Sequence, residues 1–90
     1  MTARPKANGL ARRFSPMAQF RMMRGLLQSD LAVRTRIHET LVSKIERGVR
    51  WPTEPQAKSL SRALRTTYRR MALLVADTHF WAKSKRSARS

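Results

Sequence analysis

Arginine is the chemically distinctive residue of this chain. Of its 20 Lys and Arg residues 15 are Arg, set against 5 Asp and Glu, for a formal charge of +15. A guanidinium is planar, permanently charged and forked, so it grips a phosphate or a guanine edge through paired N–H donors. Like charges at this density on a small body repel unless a partner neutralises them. The composition therefore points to a polyanion, and among polyanions to nucleic acid.

The residue sets that catalysis requires do not occur. His38 and His79 lie far apart, with neither Cys nor clustered acids beside them. No metal-ligand spacing, Gly-rich phosphate loop or carboxylate pair is present, and Gly totals 3. The expectation is no enzyme, no catalytic residue, no cofactor and no metal. His79 reads as a helix-face or interface residue. With 0 Cys there is neither a disulfide framework nor a thiolate metal site, which fits a reducing compartment.

Ninety residues make one small domain, and a 41% hydrophobic fraction is enough for a core. The longest apolar run, Met71 to Ala76, is far short of the roughly 20 residues that span a bilayer. The N-terminus is basic but lacks the apolar stretch of a secretory signal. No membrane association is expected, and the localisation read from these features is cytoplasmic, with association to the nucleoid.

The elements that must position the arginines read as helices. Ser15-Pro16 is a start signal: a hydroxyl that caps, then a proline whose missing N–H costs nothing. Phe20, Met23 and Leu27 follow at helical spacing, and Gly25 marks an end. Gln28 to Arg34 is a short second segment with Leu31-Ala32 inward. His38 to Arg47 is a third, carrying Leu41, Val42 and Ile45, with Gly48 just past it. Trp51-Pro52 forces an extended link. Thr53 and Gln56 have capping-box spacing, and Ala57, Leu60, Ala63 and Leu64 form an apolar stripe behind them. Thr67 to Lys83 is a fifth helix, with Tyr68, Met71, Ala72, Val75 and Phe80 on one face. Leu73, Leu74, Ala76 and Trp81 spread its apolar surface nearly all round. Trp51 and Trp81 are expected to pack rather than to stack on bases.

Around this middle lie two basic stretches, residues 1–14 and 83–90, each with four cations and no acid. Such blocks are expected to be flexible when free. The N-terminal one, with Arg12 and Arg13, reads either as a solubilising tail or as an arm that folds onto phosphates.

The stretch Gln28 to Gly48 resembles the helix-turn-helix of the phage repressor/Cro family, also called the xenobiotic-response-element family. The family pattern is Gln, then acid-Leu-Ala, a turn, then hydrophobic-Ser-X-hydrophobic-Glu-X-Gly. Here it stands as Gln28, Asp30-Leu31-Ala32 and Val42-Ser43-Lys44-Ile45-Glu46-Arg47-Gly48 without a gap. Arg21 and Arg24-Gly25-Leu26 match the first helix of that family. Pro52-Thr53 and Leu60-Ser61-Arg62-Ala63-Leu64 match its fourth. The resemblance covers about residues 15 to 65.

It implies an all-α fold: a five-helix, lambda-repressor-like domain over 15–82 with flexible basic tails. Its third helix would lie in the major groove, with Glu39, Thr40 and Lys44 facing the bases. Glu39 would accept from a cytosine amino group, Thr40 touch a thymine methyl and Lys44 donate to guanine. Charge at a helix N-terminus for Glu39, and a phosphate for Lys44, are the plainer roles open to them. Gln28 would clamp a phosphate at the start of the second helix. Arg36, Arg47 and Arg50 would meet phosphates on either side of the reading helix. Arg21 would pair with Glu46 as scaffold between the first and third helices. Members of the family often dimerise, so 67–82 is read as a dimerisation helix with Tyr68, Met71, Leu74, Val75, Phe80 and Trp81 at the interface.

Two departures concern the turn before the third helix. Arg36 stands where the family usually has Gly, in a backbone that prefers positive φ, and Thr35 stands where a large apolar residue is usual. His38 occupies the capping position that is commonly Ser or Thr. The partner expected from all this is double-stranded DNA, and the function a sequence-specific transcriptional regulator, a dimeric repressor on a palindromic operator. An architectural, nucleoid-type protein with little sequence preference is a second reading, favoured by the tails and the charge. An antitoxin or controller protein, with the same DNA chemistry and a further protein partner, is a third.

Overall fold

A computed structural model describes residues 13–89, with side chains to residue 86. Among them five α helices have full bounds and no strand occurs. They are α1 Pro16–Met23, α2 Gln28–Thr35, α3 Glu39–Glu46, α4 Glu54–Ala63 and α5 Tyr68–Arg89. Arg12, with the rest of the expected N-terminal arm to residue 12, lies outside the described residues.

The local signals act as the sequence reads. Ser15 caps α1, its Oγ accepting from the Ala18 N–H at 3.1 Å, with Pro16 at the first helical position. Thr53 and Gln56 exchange two side-chain hydrogen bonds at the start of α4. At α2 the N-cap residue is Leu27, which has no side-chain acceptor. Instead its backbone N–H donates to Asp30 Oδ2 at 2.9 Å. Gly25, at φ 74°, turns the chain out of α1.

The core is a single cluster in which Met17, Leu31, Val42, Ile45, Leu60 and Leu64 are fully buried. Each of the first four helices therefore gives one face to a common centre. The fifth lies across them, packing mainly on α1 and α4 and touching α3. It buries Met71, Val75, Thr78 and Ala82, one residue per turn of a single stripe. Thr78 is polar, and its Oγ1 accepts the Met17 N–H, one of the donors that the first turn of α1 leaves without a helical partner.

This stripe corrects part of the expected interface. Met71 and Val75 face the domain's own core, and Leu74 packs half-buried against it. Apolar residues on several sides of a helix do not specify which side the four-helix body claims. The outward side of α5 carries Leu73 and Phe80, 63% and 73% exposed, with Ala76 also exposed between them. Tyr68 is exposed, while Trp81 is half-buried.

The helix also continues past the expected end, to Arg89. Lys, Arg and Ala are good helix formers, and cations are favoured over the final turn of a helix. The C-terminal basic stretch is thus helical up to that residue. No described helix is long and apolar enough to cross a membrane.

Candidate nucleic-acid interface

The side chains that could read DNA stand on α3, and three features behind α3 fix its position. The first is burial: Val42 and Ile45 are wholly inside the core. The second is the acid at its end. Glu46, 3% exposed, accepts from Arg21 Nε at 2.6 Å through one oxygen and from Gln28 Nε2 at 3.0 Å through the other. Arg21 also donates to the Leu26 carbonyl oxygen at 2.7 Å. The pair expected between helices one and three is present, and it is a three-residue knot that includes the first residue of α2. Spacing offers no sign of the third member, because Gln28 reaches Glu46 only after the fold has brought α2 and α3 together.

The third feature is Gly48. It sits at φ 74° and lets α3 end against α5. A Cβ placed on it would come within 2.8 Å of Ala82 Cβ and 2.9 Å of the Thr78 carbonyl oxygen. Backbone conformation and close approach both require Gly here. Beside this contact Trp51 stacks on His79 of α5, ring centroids 3.7 Å apart and planes within 5°. His79 Nε2 is buried there without a hydrogen-bond partner. Trp51 therefore packs, as expected, yet remains 59% exposed on its other face.

The turn into α3 resolves both departures from the family pattern. Arg36 adopts φ 61°, ψ 29°, the left-handed conformation that the turn requires, despite having a side chain. Thr35 is buried, and its hydroxyl donates to the Leu31 carbonyl oxygen at 2.7 Å and accepts from the Ile37 N–H at 3.3 Å. A polar side chain is tolerated inside because both its roles are filled. His38 takes over the cap itself: its Nδ1 accepts the Thr40 N–H at 3.1 Å. A ring nitrogen does what a hydroxyl oxygen would do, and the third helix begins at Glu39.

On the outward face of α3, Glu39 and Thr40 are exposed and Lys44 is half-buried. Thr40 and Lys44 line one shallow groove together with His38, Leu41 and Arg50. Arg36 stands exposed before the helix, and Arg47 and Arg50 exposed after it. The face thus presents four cations around one acid, with two hydrogen-bonding side chains between them. Exposed donors on a short rigid helix, ringed by guanidinium groups, are suited to base edges inside and phosphates outside. A second cleft, beside the Glu46 knot, brings together Arg13, Gln28, Arg47 and Trp81. Sequence reasoning placed Arg24 only by family position. Here its Nε closes the end of α4 on the Leu64 carbonyl oxygen at 2.8 Å, with its guanidinium over the Phe20 ring. Among the described residues no group of His, Asp or Glu gathers to hold a metal ion.

No curated protein and no solved structure matches the chain. A family model does, described as helix-turn-helix, over residues 17–70. That range holds the Arg21–Glu46 pair, the turn at Arg36, the whole of α3 and the capping box of α4. The chain belongs to the helix-turn-helix family of DNA-binding domains, of the phage repressor/Cro type.

Proposed function

We propose that this protein is a sequence-specific, double-stranded DNA-binding transcriptional regulator, acting as a dimeric repressor on a palindromic operator. The observation that carries the reading is the exposed face of α3, where Glu39, Thr40 and Lys44 project from a helix held by Glu46 and Gly48. In the major groove Glu39 accepts from a cytosine amino group, Thr40 meets a thymine methyl and Lys44 donates to guanine. Arg36, Arg47 and Arg50 bind the flanking phosphates, with Arg12 and Arg13 extending the grip. Gln28 spends one amide proton on Glu46. The other proton of that amide serves a phosphate oxygen at the start of α2.

Two copies join through the outer stripe of α5, Leu73, Ala76 and Phe80, with Tyr68 at one end. The protein acts in the cytoplasm, on the nucleoid. A second reading, coating of DNA with little sequence preference, draws on one observation, the formal charge of +15.

Selection from a random duplex library at near-physiological salt, with competitor present, separates the two. A two-fold symmetric motif with half-sites about one helical turn apart supports the operator-binding regulator. Tight, salt-dependent binding that recovers no motif refutes it in favour of coating.

A further inference from the structure

The most basic segment of the chain is the last part of α5, and the function so far gives it no task. Lys83, Lys85 and Arg86 project from a helix that continues to Arg89, all beyond Ala82, the last residue of the buried stripe. All three are exposed. Among the described residues the ion pairs are Arg21–Glu46 and Lys58–Glu54, so neither reaches them. Cations over a final turn suit the helix dipole. That accounts for charge near the very end. It does not account for Lys83 and Arg86 one turn apart, since like charges at this spacing repel.

Their neighbourhood adds positive charge instead of cancelling it. Trp81 lines the same cleft as Gln28 and Arg47, the two side chains at the start of α2 and the end of α3. The Lys85 ammonium lies over the Trp81 ring, 4.9 Å from its centroid. Ala82 meets Gly48, directly after α3. The basic end of α5 thus begins where the phosphate contacts of α2 and α3 are, and it continues their charge outward on a rigid element.

We propose that Lys83, Lys85 and Arg86 form a second phosphate-binding surface, which holds the duplex backbone next to the contacts of Gln28 and Arg47. The ligand is the sugar-phosphate backbone of the same DNA, without regard to base sequence. The inference rests on the reading of α3 as a DNA-binding helix. It lengthens the footprint beyond what α3 and its flanking arginines cover.

The test compares the full-length protein with the triple variant Lys83→Gln, Lys85→Gln, Arg86→Gln on a mixed-sequence duplex, titrated between about 50 and 200 mM salt. Gln has a helix propensity close to that of Lys and Arg, so the helix is retained, which circular dichroism checks. Each lost phosphate contact makes the log–log salt slope shallower by about 0.9, and the expected change is at least about 1.8. Hydroxyl-radical footprints should shorten at one edge by a matching number of phosphates. A companion variant, Lys83→Arg with Lys85→Arg, keeps the charge and should keep both slope and footprint.

An unchanged slope and footprint in the triple variant would overturn the proposal. Arg47→Ala in the same assay distinguishes the two levels of failure. If Arg47→Ala weakens binding and the triple variant does not, only the α5 surface is lost. If neither weakens it, the reading of α3 and its flanks fails first.

Discussion

Arg36→Gly separates two quantities that usually move together, the stability of the domain and its affinity for DNA. Arg36 holds φ 61°, a conformation in which an L side chain crowds its own carbonyl oxygen. That crowding costs roughly 1–2 kcal/mol. Glycine removes it, but it also frees the unfolded chain, which returns about 0.5–1 kcal/mol. The turn itself is fixed independently by the Thr35 hydroxyl on the Ile37 N–H, so its geometry should survive. The midpoints of the two terms leave a gain of about 0.8 kcal/mol, or roughly 3–6 °C in Tm for a domain of this size. The same substitution deletes a cation beside α3, and the salt slope of DNA binding should become shallower by about 0.9. Two controls isolate the terms. Arg36→Ala keeps the strain and loses the charge, so it should match Gly in DNA binding and the parent in stability. Arg65→Gly relieves the same conformation, φ 57°, in the link between α4 and α5, and should stabilise with no change in slope. Thermal melts and salt titrations of the four proteins decide the matter. A Tm for Arg36→Gly at or below the parent's would refute the strain account. An unchanged slope would remove Arg36 from the phosphate set.

Four further outcomes follow from the same geometry. Glu46→Ala leaves Arg21 buried without its acid and should cost about 3–5 kcal/mol in urea unfolding; a loss under about 1 kcal/mol would make the knot a minor support. Gly48→Ala must accommodate both a positive φ and a Cβ at 2.8 Å from Ala82, so roughly 2–5 kcal/mol should be lost, and a parent-like melt would show that α5 moves aside freely. Lys44→Ala should relax preference at one base pair at a cost of about 1–3 kcal/mol, which repeated selection would reveal as a changed position in the motif. Phe80→Glu, on a residue 73% exposed, should turn a dimer into a monomer in sedimentation without lowering the stability of each domain; an unaltered sedimentation coefficient would move the interface elsewhere.

The sequence discloses whatever depends on neighbours along the chain. Ser15-Pro16, the Thr53 and Gln56 box, and Gly25 after α1 each act within one turn of themselves, while Gly48 is legible as a helix end but not as the close contact with α5. Arg21 with Glu46 was legible only through the resemblance, since nothing in the spacing joins two residues on different helices. Contacts between elements were mostly silent. Gln28 on Glu46, Arg24 on the end of α4, and Trp51 on His79 arise from the placement of whole helices. The reading of α5 shows the limit most clearly. Apolar residues all round a helix say that more than one side is wanted. They do not say that Met71 and Val75 go to the core while Leu73 and Phe80 stay outside. Its end is obscured for a different reason. Dense like charge points to disorder, whereas Lys, Arg and Ala keep their helix propensity whatever their net charge.

Gly48 also bears on how an operator is measured out. In a two-fold assembly joined through α5, each reading helix is tied to the seam by that contact, with almost no play between backbone and backbone. The pair of α3 helices then behaves as a fixed calliper. Inserting one base pair between half-sites rotates one of them by about a tenth of a turn, and the close Gly48 contact leaves little room between α3 and α5 to follow it. In such an assembly the spacing tolerance of the binding site would be set less by the residues on α3 than by a hydrogen atom where any other amino acid would carry a side chain.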